Sequence, residues 1–375
     1  MRILYVYSAW AIWGGIERVL IDKMNCLAEA GGYEIYTITY DQGTNPIPFS
    51  LSPRVIYRDL NVMLYHHYRY HGLKKCYYRY KLKKLLIKRL QSEIMEIMPD
   101  VIVCPRIDLL SYILKVKGNI PLVYESHSSY RWIAMEKKGF VWFLRQRYYN
   151  RLVKKVQMVV ALTEGDALEW RKVTNHVSVI PNVVKLNHSG QYSNCQSKSV
   201  IFVGRLCLQK DVHSLLRIWS IVHKRFPEWQ LHIYGDHGEE AESIFHAVEG
   251  IDANISIHEP TSLIFDKYID SSMLLLTSLY EPFGLVLPEA MSCGLPVVAF
   301  DCPYGPSEII TDGVNGFLIR NRDVQEFAQK VCLLIENQEM RLQLGRAGIL
   351  SARRYEASRI LPMWKALFRQ LSGKC

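Results

Sequence analysis

The sequence predicts an α/β chain made of two Rossmann-like domains in tandem, each built on a parallel sheet. Three observations lead there. Short runs of β-branched and aromatic residues alternate with amphipathic, helix-length patterns through both halves of the chain. In the second half each apolar run ends in small or polar residues, which suits strands buried on both faces. A polar stretch separates two such series, and 375 residues suits two domains of ordinary size.

The elements follow in order. ILYVYS opens the chain as a strand, then a Gly-Gly turn and a helix pattern over Ile16–Ala30. EIYTITY and RVIYRDL read as strands, followed by a long basic segment and then by DVIVC, PLVYES and MVVALT. The apolar run of HVSVIPNVVKLNHSGQYSNCQSKS stops at Pro181-Asn182, and Gly190 with its neighbouring serines marks the seam. The second half repeats the scheme with SVIFVG, LHIYGD, NISIHE, SMLLLTS and LPVVAFD. Glu356–Leu371 reads as one amphipathic helix carrying Ile360, Leu361, Trp364, Leu367, Phe368 and Leu371. The expected domains are residues 1–183, joined by the helix of 356–375, and residues 184–355. No repeat shorter than a domain and no low-complexity tract is present.

Composition excludes several classes. Half of the chain is hydrophobic and about a fifth charged, which is globular rather than disordered or fibrous. Nine cysteines are scattered without any Cys-x-x-Cys pair, so reduced thiols in a cytosolic protein are expected rather than a disulfide framework or a metal site. Met1-Arg2 leads straight into a strand, so no signal peptide is expected. No apolar run approaches the roughly 20 residues of a membrane span. The net charge is +10, and no acidic residue lies between Asp59 and Glu93. In that stretch bases interleave with Tyr65, Tyr68, Tyr70, Tyr77, Tyr78 and Tyr80, and Leu82, Leu85, Leu86 and Leu90 recur at helical spacing. A solvated helix packed by its apolar stripe explains Tyr65–Leu90. So does a surface drawn to anionic lipid. Nucleic acid is a third possibility with the basic stretch as its only support.

Four segments carry candidate chemistry. In EPFGLVLPEAMSCGLPVVAFD, Glu281–Asp301, Glu281 falls in the loop after a strand and Glu289 in the first turn of a helix opened around Pro288 and stopped near Gly294. Ligands of open α/β sheets bind at that edge, and a helix N-terminus there suits an anion. Carboxylates accept hydrogen bonds from sugar hydroxyls, while cations and the dipole hold phosphate. A plain helix-capping Glu289 and a solvated Glu281 would also account for the segment. In SVIFVGRLCLQKD, Arg205 and Lys210 follow a strand across a short loop into a helix, a placement that suits a diphosphate. In SAWAIWGGIERV, Gly14-Gly15 allow a close backbone approach or make a simple tight turn. In PLVYESHSSYRW, His127 lies just past a strand end at the same edge. Neither a Walker loop nor a G-x-G-x-x-G fingerprint is present.

Together these segments resemble the retaining glycosyltransferases of family 4. The E-x7-E pattern of EPFGLVLPE followed by AMSCGLPVVAFD is that family's most specific signature. GRL with a lysine five residues after the arginine, the GG before the first helix, and DGVNGFLI at Asp312–Ile319 stand in the expected order. The likeness spans nearly the whole chain and is weakest from about Tyr40 to Lys117. DCPYGPSEII, Asp301–Ile310, is similar to bacterial members that build surface polysaccharides or lipid-linked oligosaccharides.

The resemblance implies the GT-B fold: two Rossmann-like domains facing across a cleft, with the terminal helix crossing back to the first. It implies a metal-independent hexosyl- or N-acetylhexosaminyl-transferase acting with retention. Glu281 would contact the donor sugar and Glu289 the ribose hydroxyls. Backbone N–H groups of Phe283, Gly284 and Leu285 would meet the sugar and diphosphate. Arg205 and Lys210 would neutralise the leaving group, with Gly15 near it and His127 beside the donor sugar. No resident cofactor is implied. The donor would be a nucleotide-sugar, UDP first by family frequency, and the acceptor a glycan or polyprenyl-linked glycan. The place would be the cytoplasm, peripheral at the inner face of the membrane. No D-x-D occurs, so metal-held diphosphate is unsupported. A non-catalytic scaffold of the same fold and a sugar-nucleotide epimerase are the rival readings.

Overall fold

The structure is a computed structural model and describes residues 1–130, 139–251 and 253–374. The tail of the His127 segment from residue 131, which includes Trp132, and Cys375 lie outside the described residues. The chain forms two compact units: Met1–Val183 together with Ala357–Cys375, and Val184–Glu356.

The first unit holds a seven-stranded sheet in the order β3-β2-β1-β4-β5-β6-β7. Its strands are β1 Arg2–Val6, β2 Glu34–Thr39, β3 Val55–Asp59, β4 Val101–Cys104, β5 Leu122–Ser126, β6 Met158–Ala161 and β7 Val177–Val179. Every pairing is parallel. Successive side chains point to opposite faces, and both faces are covered. Ile3, Tyr5, Val101, Val103 and Val123 pack with the helix Gly15–Glu29 and with Ile360, Leu361, Trp364, Leu367 and Phe368. Leu4, Val6, Ile102 and Cys104 pack instead with Leu86, Leu90, Ile94 and Ile97 of the helix Gly72–Ile97, and with Ile113, Val153 and Trp170. The apolar stripe of that second helix covers only its later turns, so the cationic start from Gly72 onward is largely exposed.

The terminal helix spans Ala357–Ser372 and belongs wholly to the first unit. It starts one residue later than the sequence suggests. Glu356 is extended, with φ −63 and ψ 151, and stays with the second unit.

The second unit holds six parallel strands in the order β10-β9-β8-β11-β12-β13. These are β8 Ser199–Val203, β9 Gln230–Tyr234, β10 Ile255–His258, β11 Met273–Leu276, β12 Val297–Phe300 and β13 Gly316–Ile319. The last strand comes from the DGVNGFLI segment. In each sheet the strand order reverses once, at β1/β4 in the first and at β8/β11 in the second. Open α/β sheets form their ligand crevice at such a reversal, beyond the carboxyl ends of the strands. The eight described cysteines are all free, and six of them are buried.

Candidate active site

Three loops of the second unit meet at the β8/β11 reversal. Thr277, just past β11, donates its hydroxyl to the carbonyls of Lys210 and Asp211 at 3.0 Å each. Leu279 N–H donates to the Gln209 carbonyl at 2.8 Å, and Gln209 Nε2 to the Tyr280 carbonyl at 3.0 Å. The turn after β8 and the loop after β11 are thereby held as one piece. Arg322, from the loop after β13, completes the stitch. It donates to the carbonyls of Ser278 at 2.8 Å and Thr277 at 2.9 Å, and pairs with Asp211. Asp211 also caps the helix Val212–Arg225 through Ser214 N–H. Nothing local marked Arg322, which arrives from a loop far along the sequence.

Glu281 sits at the centre of this assembly and is only 5% exposed. Its carboxylate pairs with the Lys210 ammonium and accepts from Ser278 Oγ at 2.8 Å. Its backbone is clamped as well: its N–H donates to Pro303, and its carbonyl accepts from Tyr304 at 2.8 Å and Gly305 at 2.9 Å. Gly305 lies so close to the Phe283 carbonyl that no Cβ would fit there. Gly284 has φ +91, a conformation open to glycine at little cost. Among the described residues, the N–H groups of Phe283, Gly284 and Leu285 find no acceptor. Three free donors therefore stand between Glu281 and the helix Val286–Ser292.

Glu289 lies in that helix's first turn and is 3% exposed. Its Oε2 accepts from the buried Tyr268 hydroxyl at 3.3 Å. Arg205, at the other lip, is exposed, and its side chain makes no ion pair or hydrogen bond among the described residues. Backbone crowding shapes that lip. Gly235 and Gly238 press on the Gly204 and Leu206 carbonyls so tightly that a Cβ at either would collide. Burial pushes the nearby Cys302 thiol up to about 12, and Glu281 acts the same way, so the thiol stays neutral.

In the first unit, Gly14 caps the helix Gly15–Glu29. The Glu17 carboxylate folds back beneath it, where Oε1 accepts from Tyr7 Oη at 2.8 Å and Oε2 fills the space of a Cβ on Gly14. Gly14 thus stands against a buried carboxylate, and Gly15 follows it as the first residue of the helix. His127, one residue past β5, is buried, and its Nε2 lies 3.1 Å from Glu125 Oε1 without hydrogen-bond alignment. Glu125 Oε2 accepts from Lys23 Nζ at 2.5 Å. Burial alone would raise the Glu125 carboxyl, but Lys23 and His127 outweigh it and hold it down at about 2. Burial drives the Lys23 ammonium below its ordinary value, opposed by Glu125.

The site residues named from the sequence thus fall into two groups. Glu281, Lys210, Phe283, Gly284, Leu285, Glu289 and Arg205 gather about the reversal of the second sheet. Gly15 and His127 lie past the carboxyl ends of β1 and β5 in the first.

Two parallel-sheet units, each with polar groups past the carboxyl ends of its strands, are the architecture of a GT-B glycosyltransferase. Residues 13–188 match Glycosyltransferase Family 4 and residues 186–350 match Glycosyl transferases group 1. The chain belongs to this glycosyltransferase family. An uncharacterized glycosyltransferase of Haemophilus influenzae is 29% identical over 94% of this chain and 96% of its own length. A poly(ribitol-phosphate) alpha-N-acetylglucosaminyltransferase of Staphylococcus aureus is 30% identical over 60% of this chain. The match spans 46% of that longer enzyme. The fold is shared with a TarM variant of S. aureus, crystallised with fondaparinux, alpha-GlcNAc-glycerol and UDP. That structure superposes with a TM-score of 0.80 at 16% identity, covering 98% of this chain and 99% of its own.

Proposed function

We propose that this glycosyltransferase is retaining and metal-independent, and moves a hexosyl or N-acetylhexosaminyl group from a UDP-sugar to a glycan or polyprenyl-linked acceptor in bacterial polysaccharide synthesis. One observation carries the reading. A buried carboxylate, Glu281, stands bonded to Lys210 beside three backbone N–H groups and an arginine that have no partner among the described residues. That is an acceptor for sugar hydroxyls set next to donors for a diphosphate. UDP is favoured because the TarM structure of like fold carries it. The S. aureus relative is named an alpha-N-acetylglucosaminyltransferase, and alpha is the anomeric configuration of UDP-GlcNAc itself, which favours retention.

In the reaction the bond from the anomeric carbon to the phosphate oxygen breaks and a bond to the acceptor oxygen forms on the same face. The acceptor proton passes to the departing phosphate oxygen. Arg205, the remaining donors of Lys210, and the N–H groups of Phe283, Gly284 and Leu285 stabilise the charge that develops there. Glu281 orients the donor sugar and Glu289 accepts from the ribose.

The surface at Tyr65–Leu90 is read as a contact for anionic lipid. Lys74, Lys75, Arg79, Lys81, Lys83, Lys84 and Lys88 make no ion pair among the described residues. Tyr70 and Tyr78 stack on each other with centroids 4.0 Å apart, so they are not free to stack on bases. Headgroup attraction needs only the charge.

The test is a thermal-shift panel of UDP, GDP, ADP, CMP and their sugars, with and without EDTA. A selective rise with UDP and UDP-sugars, indifferent to EDTA and lost in Glu289→Ala, is expected. A rise abolished by EDTA would sink metal independence. An inverted product anomer would sink retention. No shift with any nucleotide in folded protein would sink the donor assignment.

A further inference from the structure

Beneath His127 lies a pair of opposite charges sealed from water. Lys23, on the helix Gly15–Glu29, is 1% exposed, and Glu125, near the end of β5, is 2% exposed. Glu125 shares its two oxygens: Oε2 takes the Lys23 ammonium at 2.5 Å, and Oε1 lies 3.1 Å from His127 Nε2. Lys23 is held from its other side by aromatic faces, with Nζ 3.9 Å from the centroid of Trp364 and 5.2 Å from that of Tyr5. The surrounding cluster is apolar and aromatic, and apolar residues of similar volume often replace a buried ion pair without loss, so stability alone does not account for the pair.

The arrangement does one thing an apolar packing cannot. It presents a fixed carboxylate to one nitrogen of His127 and leaves Nδ1 without a partner among the described residues. Glu125 is answered by Lys23, so the carboxylate does not depend on His127 for its countercharge. A histidine tautomer is set by whatever its other nitrogen faces.

We propose that Glu125 and Lys23 are positioning residues. They hold His127 as the Nε2–H tautomer, with Nδ1 available to accept from a hydroxyl of the donor sugar, and Trp364 of the terminal helix keeps Lys23 in place. This rests on the reading of His127 as the group beside the donor sugar. The Nε2 contact is close but not aligned as a hydrogen bond here, and such bonds are often long or misaligned in ligand-free sites and tighten when substrate is bound.

The first test needs no ligand: imidazole ¹⁵N spectra of the parent protein at pH 8, with the His127 signals assigned by their loss in His127→Asn. An Nε2–H tautomer is expected, and an Nδ1–H tautomer would overturn the proposal. The second test is Lys23→Met combined with Glu125→Gln, which removes both charges and leaves neither alone. UDP release from UDP-GlcNAc is followed beside thermal unfolding. The expected result is a melting point within a few degrees of the parent, a donor KM moved less than about twofold, and kcat lower by about tenfold or more, the scale of a misplaced reacting group. Adding His127→Asn to the double variant should cost nothing further. If His127→Asn cripples turnover and the double variant does not, the proposal falls alone. If His127→Asn turns over like the parent, the reading of His127 falls and the proposal with it.

Discussion

Breaking the Lys210–Glu281 pair from either side has a calculable consequence. The side chains are 16% and 6% exposed, so the pair sits in a poorly screened place. Two unit charges about 4 Å apart attract by about 4 kcal/mol at an effective dielectric of 20. Desolvation takes back much of that, yet removing one partner of a buried pair still costs about 3–5 kcal/mol. Two features lower the figure for Lys210→Met: the lysine keeps some contact with water, and Ser278 still donates to the stranded carboxylate. We expect about 2 kcal/mol. For a domain of this size that is a fall of about 4–8 °C in the melting of the second unit. Glu281→Gln should cost about as much. The double variant should cost little more than either, leaving a coupling energy of about 1–2 kcal/mol. The assay is calorimetry of the four proteins with and without UDP. Lys210→Met should also weaken UDP binding by about tenfold or more, since a hydrogen bond to a charged group is lost. A coupling energy below about 0.5 kcal/mol would refute the picture of a buried pair at the core of the site.

Three further outcomes are expected. Burial pushes the Asp166 carboxyl up to about 6, although it accepts from Tyr130 N–H, Trp170 Nε1 and Ser126 Oγ. A folded-state value above the unfolded one means that this group favours the folded state most below about pH 4 and loses about 3 kcal/mol as the pH rises through 6. Asp166→Asn should destabilise at every pH, because its amide faces the Trp170 donor. It should also flatten the melting curve between pH 4 and 7 relative to the parent, and an unchanged slope would contradict the assignment. Gly305→Ala should destabilise by about 1–3 kcal/mol and weaken nucleotide binding, because its Cβ would overlap the Phe283 carbonyl. Gly250→Ala, with nothing nearer than 3.7 Å, should melt with the parent. Changing Lys81, Lys83, Lys84 and Lys88 to Gln should release the protein from vesicles containing anionic lipid while leaving UDP binding intact. Vesicle binding unaffected by the change would dispose of the lipid surface.

Most of the fold was legible because parallel strands buried on both faces cannot hide: VIVC and MVVA have to be apolar at every position. The site was legible where chemistry is local. Arg205 and Glu281 lie within a few residues of strand ends, and Lys210 and Glu289 lie at the starts of the helices that follow, where a charge has a use. What the sequence concealed is long-range. Arg322 reaches Asp211 from a distant loop, and Lys23 sits in a helix where a lysine ordinarily points to water. Its partner Glu125 lies inside a strand whose pattern says only that it is buried. Gly235, Gly238 and Gly305 are demanded by backbones that touch only in the folded chain. Composition and spacing do not encode such meetings.

The terminal helix sets a timetable for biosynthesis. Trp364 and Phe368 belong to the core of the first unit, yet the ribosome delivers them only after the whole of the second unit has been made. At about 5–20 residues per second the nascent first unit waits roughly ten seconds or longer with Leu20, Ile21 and Met24 short of their final cover. Lys23 spends that interval without its aromatic lid. The emerging chain therefore passes through a stage in which one flank of a nearly finished sheet is sticky, and a holdase that recognises exposed leucine and isoleucine would find its substrate in that window.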